Sequence, residues 1–200
     1  VLGISNALAA GVMLGASASL LVEGVRRDAA LVGAGAVAGA LFVLALERFV
    51  PGGNSRKALL VVAVMTAHSV AEGVGVGASF AGGDTLGIVI AFAIAIHNVP
   101  EGVAVSLVLV PRGASVRRAA LWSIFTSLPQ PLLAVPAFLF VEQFRSVLPA
   151  GLGFAAGAMI WMVWRELLPE ALEQIPRRRV TGWAAVSFAA MFAFQSYLLA

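Results

Sequence analysis

The chain has 200 residues, of which 60% are hydrophobic and only 12% charged, a composition far from that of an ordinary water-soluble domain. Its net charge of +3 does not mark a nucleic-acid binder, because the basic residues fall in short loops beside apolar runs. Cysteine is absent, which excludes disulfides, thiolate-ligated zinc or iron–sulfur sites and a thiol nucleophile.

Seven apolar stretches are long enough to cross a bilayer core, which takes about 20 helical residues each. The first covers 3–24 and opens without an initiator Met or a basic leader, so nothing marks it as a signal peptide. The second covers 29–48 and is followed by a polar loop. The third, 58–81, holds His68 and Glu72, and the short turn Gly82-Gly83-Asp84 joins it to the fourth, 85–110, which holds His97, Pro100 and Glu101. The fifth, 119–141, contains Ser127-Leu128-Pro129-Gln130-Pro131, a polar amide between two prolines. The sixth and seventh cover 147–169 and 181–199. None of the runs alternates with the dyad period of a membrane β-barrel strand. The expected fold is therefore an all-α integral membrane protein, a polytopic bundle forming one transmembrane domain over 1–200.

If the spans alternate in direction, the loops near 24–28, 82–84 and 142–147 share one side, with Arg26, Arg27 and Arg145. The loops near 48–57, 111–118 and 165–179 share the other, with Arg48, Arg56, Lys57, Arg112, Arg117, Arg118, Arg165, Arg177, Arg178 and Arg179. The positive-inside rule makes the second side cytoplasmic. An odd number of spans starting directly at Val1 leads us to expect one further helix upstream. Small residues recur four apart at Gly11, Gly15 and Ser19, Gly35 and Gly39, Gly73 and Gly77, and Gly153 and Gly157, which lets helix backbones approach closely.

The only two histidines open parallel patterns, His68-Ser69-Val70-Ala71-Glu72-Gly73 and His97-Asn98-Val99-Pro100-Glu101-Gly102. A His and a Glu four apart share one helix face, so each helix offers one imidazole and one carboxylate near the membrane midplane. A lone carboxylate there costs about 3 kcal/mol on insertion scales, so two of them call for a compensating cation or proton. Imidazole nitrogen and carboxylate oxygen suit zinc, and also ferrous iron or manganese. Pro100 withholds a hydrogen bond from the Ile96 carbonyl and should distort the fourth span. Gln130 is a further candidate for the lining. Glu23, Glu47, Glu166 and Glu170 fall near span ends, where snorkelling or loop ion pairs are expected first, with Glu166 also a candidate for lining an exit path. Trp122, Trp161, Trp164, Trp183 and Tyr197 are placed mostly as interface anchors.

These motifs, above all His97-Asn98-Val99-Pro100-Glu101-Gly102, resemble the fourth and fifth helices of the ZIP (Zrt/Irt-like) family of divalent metal transporters, most closely a plant and algal branch. The likeness extends to Gly157-Ala158-Met159-Ile160 with Glu166-Leu167-Leu168-Pro169-Glu170 in that family's seventh helix, and to Ala10-Gly11-Val12-Met13 in its second. It implies eight helices, the first absent from this chain, with both ends outside. It also implies a binuclear metal centre with ligands at His68, Glu72, His97 and Glu101, and secondary contacts at Ser69, Asn98 and Gln130. Ser69, Ala71 and Gln130 stand where many members have Asn, Pro and Glu, so one well-formed metal position and a weak or absent second one are expected. The long His-rich cytoplasmic loop of the family is missing.

Function is accordingly expected to be gradient-driven transport of zinc or another divalent cation, toward the cytoplasm. The metal would be substrate, with no prosthetic group, in a multi-pass protein of a plasma, plastid or other organelle membrane that is not an enzyme. The resemblance makes a homodimer plausible. The main competitor is an intramembrane metal-dependent hydrolase with Glu72 or Glu101 as base. A bis-histidine haem protein leaves both carboxylates unexplained, and a metal-free proton-coupled carrier would bind no metal.

Overall fold

The computed structural model describes residues 2–49 and 57–199. The loop over 50–56, including Arg56, and the terminal residues Val1 and Ala200 lie outside the described residues. Helices α1 (Leu2–Val25), α2 (Ala29–Phe49), α3 (Lys57–Gly82) and α4 (Asp84–Leu109) match the first four expected spans to within a residue or two. The fifth span is a pair, α5 (Val116–Ser127) and α6 (Pro129–Gln143). The sixth is α7 (Leu148–Met162), a π-helical turn (Val163–Leu167) and α8 (Leu168–Gln174); α9 (Arg177–Leu199) is the seventh. Gly3–Val25, Asp84–Arg112, Val116–Gln143 and Arg145–Gln174 are each long and apolar enough to cross a membrane, and the protein is a multi-pass membrane helical bundle.

Prolines set the two interruptions. Pro129 and Pro131 have no N–H to offer Phe125 and Ser127; the chain instead makes a tight turn in which Leu128 N–H bonds to the Phe125 carbonyl at 3.2 Å. Pro169 likewise cannot bond back to Arg165, and the helix widens just before it, with Leu168 N–H reaching the carbonyl of Val163 five residues back. Pro100 lies inside α4. Helix α4 runs unbroken through it, since losing one backbone bond need not end a helix held by its neighbours.

The helix order around the bundle follows from packing. Helix α1 packs against α9, α7 and α4; α2 lies along α7; α3 contacts α6, α4 and α7. Helices α2 and α7 approach closely. A Cβ at Gly39 would overlap the Phe154 carbonyl and one at Gly157 the Ala36 carbonyl, so the two small-residue stripes seen in the sequence pack into each other. Between the helices, Met13, Leu20, Ile90, Ile94, Leu148, Leu152 and Met159 form a dry core.

Loop pairing agrees with the alternating arrangement. Arg27 Nη2 donates to the Gly82 carbonyl at 3.2 Å, joining two loops expected on the lightly charged side. At the opposite end, Asn6 Nδ2 donates to Glu170 Oε2 at 2.9 Å, joining the start of α1 to the strongly basic side. Glu23 pairs with Arg27 at 2.8 Å near the end of α1, as its position suggested.

Candidate metal centre

Helices α3 and α4 form a tight antiparallel pair, because Gly83 takes φ 143°, a backbone state open to glycine and costly for other residues. The pairing sets the middle of α3 against the middle of α4. His68, Glu72, His97 and Glu101 meet there, all at least nine-tenths buried.

The sequence pattern paired each His with the Glu four residues on. The structure keeps one of these pairs and crosses the other. His97 Nε2 lies 3.2 Å from Glu101 Oε1 and 3.7 Å from Glu72 Oε1. His68 turns away from its own helix's carboxylate: Nδ1 is 3.8 Å from Glu101 Oε1, and Nε2 is 3.2 Å from Glu166 Oε1. Glu101 thus stands between the two imidazoles. The reason is geometric, since a face shared by i and i+4 points at the neighbouring helix, where the closest polar atoms belong to another element.

Most of these close approaches are not hydrogen bonds. Both carboxylate oxygens of Glu72, Nε2 of His68 and Nδ1 of His97 are buried without a hydrogen-bond partner. Polar atoms left so in a dry interior cost stability, and an uncompensated carboxylate most of all. Ligand atoms held around 2.0–2.1 Å from a tetrahedral zinc sit about 3.4 Å from one another. The separations of 3.2–3.8 Å found here match that edge, and ligand atoms of Glu72, His97 and Glu101 all fall within 4.8 Å of one another.

A small cavity of about 20 Å³ opens beside His68, His97 and Glu101; Met65, Pro100, Met162 and Leu167 wall it, and Asn6, Glu166 and Glu170 add polar atoms. It has room for roughly one water-sized guest. Glu166 and Glu170 therefore do not sit as the sequence placed them. The sixth span continues to Gln174 rather than stopping near 169, so both residues lie within the helical span, and the π turn brings Glu166 Oε1 to 3.2 Å from His68 Nε2. Glu170 and Asn6 are residues that sequence reasoning did not bring to this cavity, and Glu166 it named only as a candidate exit-path lining. The available signal was the spacing of Glu166 and Glu170, four apart like the two His/Glu pairs.

The weaker candidates lie to one side. Asn98 Nδ2 donates to Gln130 Oε1 at 2.8 Å, tying α4 to α6, and Gln130 lines a separate depression at the α5–α6 break with Ser123, Ser127 and Pro131. Ser69 is buried in α3 next to His68. None of the three lines the cavity beside the histidines.

Residues 52–193 match the family model described as ZIP Zinc transporter. The chain is 48% identical over 208 positions to "Putative zinc transporter At3g08650" of Arabidopsis thaliana, covering 97% of this chain and 34% of that protein. It is 37% identical over 168 positions to "Zinc transporter GufA" of Myxococcus xanthus, covering 76% of this chain and 66% of that one. With "Zinc transporter ZIPB" of Bordetella bronchiseptica the identity is 35% over 186 positions, 81% of this chain and 60% of that protein. The chain thus spans between a third and two-thirds of the length of these relatives.

Proposed function

The chain belongs to the ZIP zinc transporter family, and from that premise we propose that it carries a divalent cation, zinc foremost, across the membrane through the cluster of His68, Glu72, His97 and Glu101. The observation that carries this reading is the convergence of two imidazoles and two carboxylates, buried and largely without hydrogen-bond partners, on neighbouring helices. A cation is the partner that such atoms lack. The relatives bear transporter names, and the hydrolase alternative is not carried forward.

Glu101 is the shared ligand in this scheme. One cation would sit among Glu72, His97 and Glu101; a second position, between His68, Glu101 and Glu166, is more open to exchange because Glu166 is partly exposed. From there Glu170 and Asn6 continue the polar line toward the basic, cytoplasmic side. A carboxylate-rich line of modest ligands favours release, and alternating exposure of the cluster to the two sides would complete a cycle driven by the metal's own gradient. Asn98, Gln130 and Ser69 serve as outer supports rather than ligands.

The test is uptake of radioactive zinc into liposomes holding the full-length protein, with wild type compared with His97→Ala and Glu101→Ala at equal incorporation. Saturable uptake lost in both variants is the expected result. Stoichiometric zinc binding without any uptake would overturn transport and leave a metal-binding membrane protein.

A further inference from the structure

A second concavity lies on the bundle, lined by a set of residues that shares none with the cavity beside the histidines. Leu14 of α1, Trp164, Leu168 and Leu172 of the sixth span, and Val180 and Phe188 of α9 line a groove of about 660 Å³, the size of a site for a sizeable organic molecule. Its walls are apolar, apart from Thr181 and, at one end, Arg177. The Thr181 hydroxyl donates to the Arg177 carbonyl within α9. The Arg177 side chain is exposed, and no carboxylate pairs with it among the described residues.

From this groove we infer a binding site for one phospholipid with a negatively charged headgroup, drawn from the leaflet on the basic side, with its phosphate at Arg177 and an acyl chain along α9 toward Phe188. Two observations fix this occupant. From Arg177 to Phe188 α9 rises about 16 Å at about 1.5 Å per residue, close to the ~15 Å depth of a single leaflet's hydrocarbon. The groove therefore starts at headgroup level and ends near the midplane. Its one charged lining residue is a cation at the headgroup end, followed by Arg178 and Arg179, and basic pockets on that side of a membrane attract anionic lipid. A further transmembrane helix could also lie on an apolar wall, but an apolar helix would leave Arg177 without a counter-charge, which a lipid phosphate supplies.

The experiment uses the full-length protein purified in mild detergent, with phosphatidylglycerol or phosphatidylcholine of identical acyl chains added, and lipid adducts counted by native mass spectrometry. Wild type should retain one phosphatidylglycerol per chain, in preference to phosphatidylcholine by about five-fold, the worth of one interfacial charge. Arg177→Gln should abolish that preference, Arg178→Gln should leave it unchanged, and Ala185→Trp, which fills the groove, should reduce retention of both lipids. Residues 177, 178 and 185 are all exposed, so folding is not at stake in these variants. Equal retention of the two lipids by wild type, a preference that survives Arg177→Gln, or an equal loss in Arg178→Gln would overturn the site. So would a dimer mass, broken by Ala185→Trp, in place of a lipid adduct.

Discussion

His68 presents Nε2 to Glu166 Oε1 at 3.2 Å, so the imidazole of α3 meets a carboxylate delivered by the π turn of the sixth span. If this carboxylate helps hold the cation, Glu166→Gln should lower zinc affinity by between about 10- and 100-fold, the usual cost of removing a partner of a metal-binding histidine. Calorimetric titration of the purified protein reads this directly. Unchanged affinity would remove Glu166 from the ligand set.

Glu72 should show opposite effects on stability and on binding. Its two oxygens are buried with no hydrogen bond, so in its charged form it burdens the metal-free protein by up to about 3 kcal/mol. Glu72→Gln is expected to raise the melting temperature of metal-free protein in detergent and to shrink the further rise that zinc produces. A variant that melts earlier without zinc would show that the carboxylate already has a stabilising partner.

Acid should weaken binding. Zinc is held by neutral imidazole and ionised carboxylate, so binding releases protons, and protons compete with the metal as pH falls. Apparent zinc affinity is expected to decline steadily from pH 7 to pH 5.5, and less steeply in His68→Gln if His68 contributes one of the competing nitrogens. A flat profile in the wild type would count against the whole ligand set.

The packing of α2 on α7 makes a purely structural prediction. Gly157→Ala sets a methyl against the Ala36 carbonyl, with backbone on both sides, and should destabilise by about 1–3 kcal/mol as overpacking does. Gly182→Ala meets open space in α9 and should gain up to about 1 kcal/mol from helix propensity. Thermal unfolding of the two variants side by side decides it, and equal melting temperatures would contradict the close approach.

Much of this was legible before any coordinates. Hydropathy placed the seven spans, because in lipid each segment must satisfy its own backbone and so declares itself as a long apolar run. The histidines and their glutamates stood out because ionisable groups are expensive at mid-membrane depth. The crossed pairing of His68 with Glu101 and Glu166 was not legible, since helical periodicity says which residues share a face and nothing about what that face meets. The approach of Glu166 to His68 was hidden for a related reason. Hydropathy fades over Glu166, Glu170 and Glu173 while the helix itself continues to Gln174, and the register shift of the π turn leaves no mark in composition. Gln130 stood out as a polar residue of a proline-broken span, but its amide oxygen accepts from Asn98, and it does not line the cavity beside the histidines.

The small cavity beside His68 and His97, at about 20 Å³, also acts on hydration. Under the proposed function, a cation with its full water shell exceeds room for about one water, so entry would trade waters for imidazole and carboxylate. Magnesium sheds water reluctantly and prefers six oxygen ligands, whereas zinc accepts four mixed ligands readily. If the cluster carries the cation as proposed, that difference in ligand preference favours zinc over magnesium, and a large excess of magnesium should leave zinc uptake untouched.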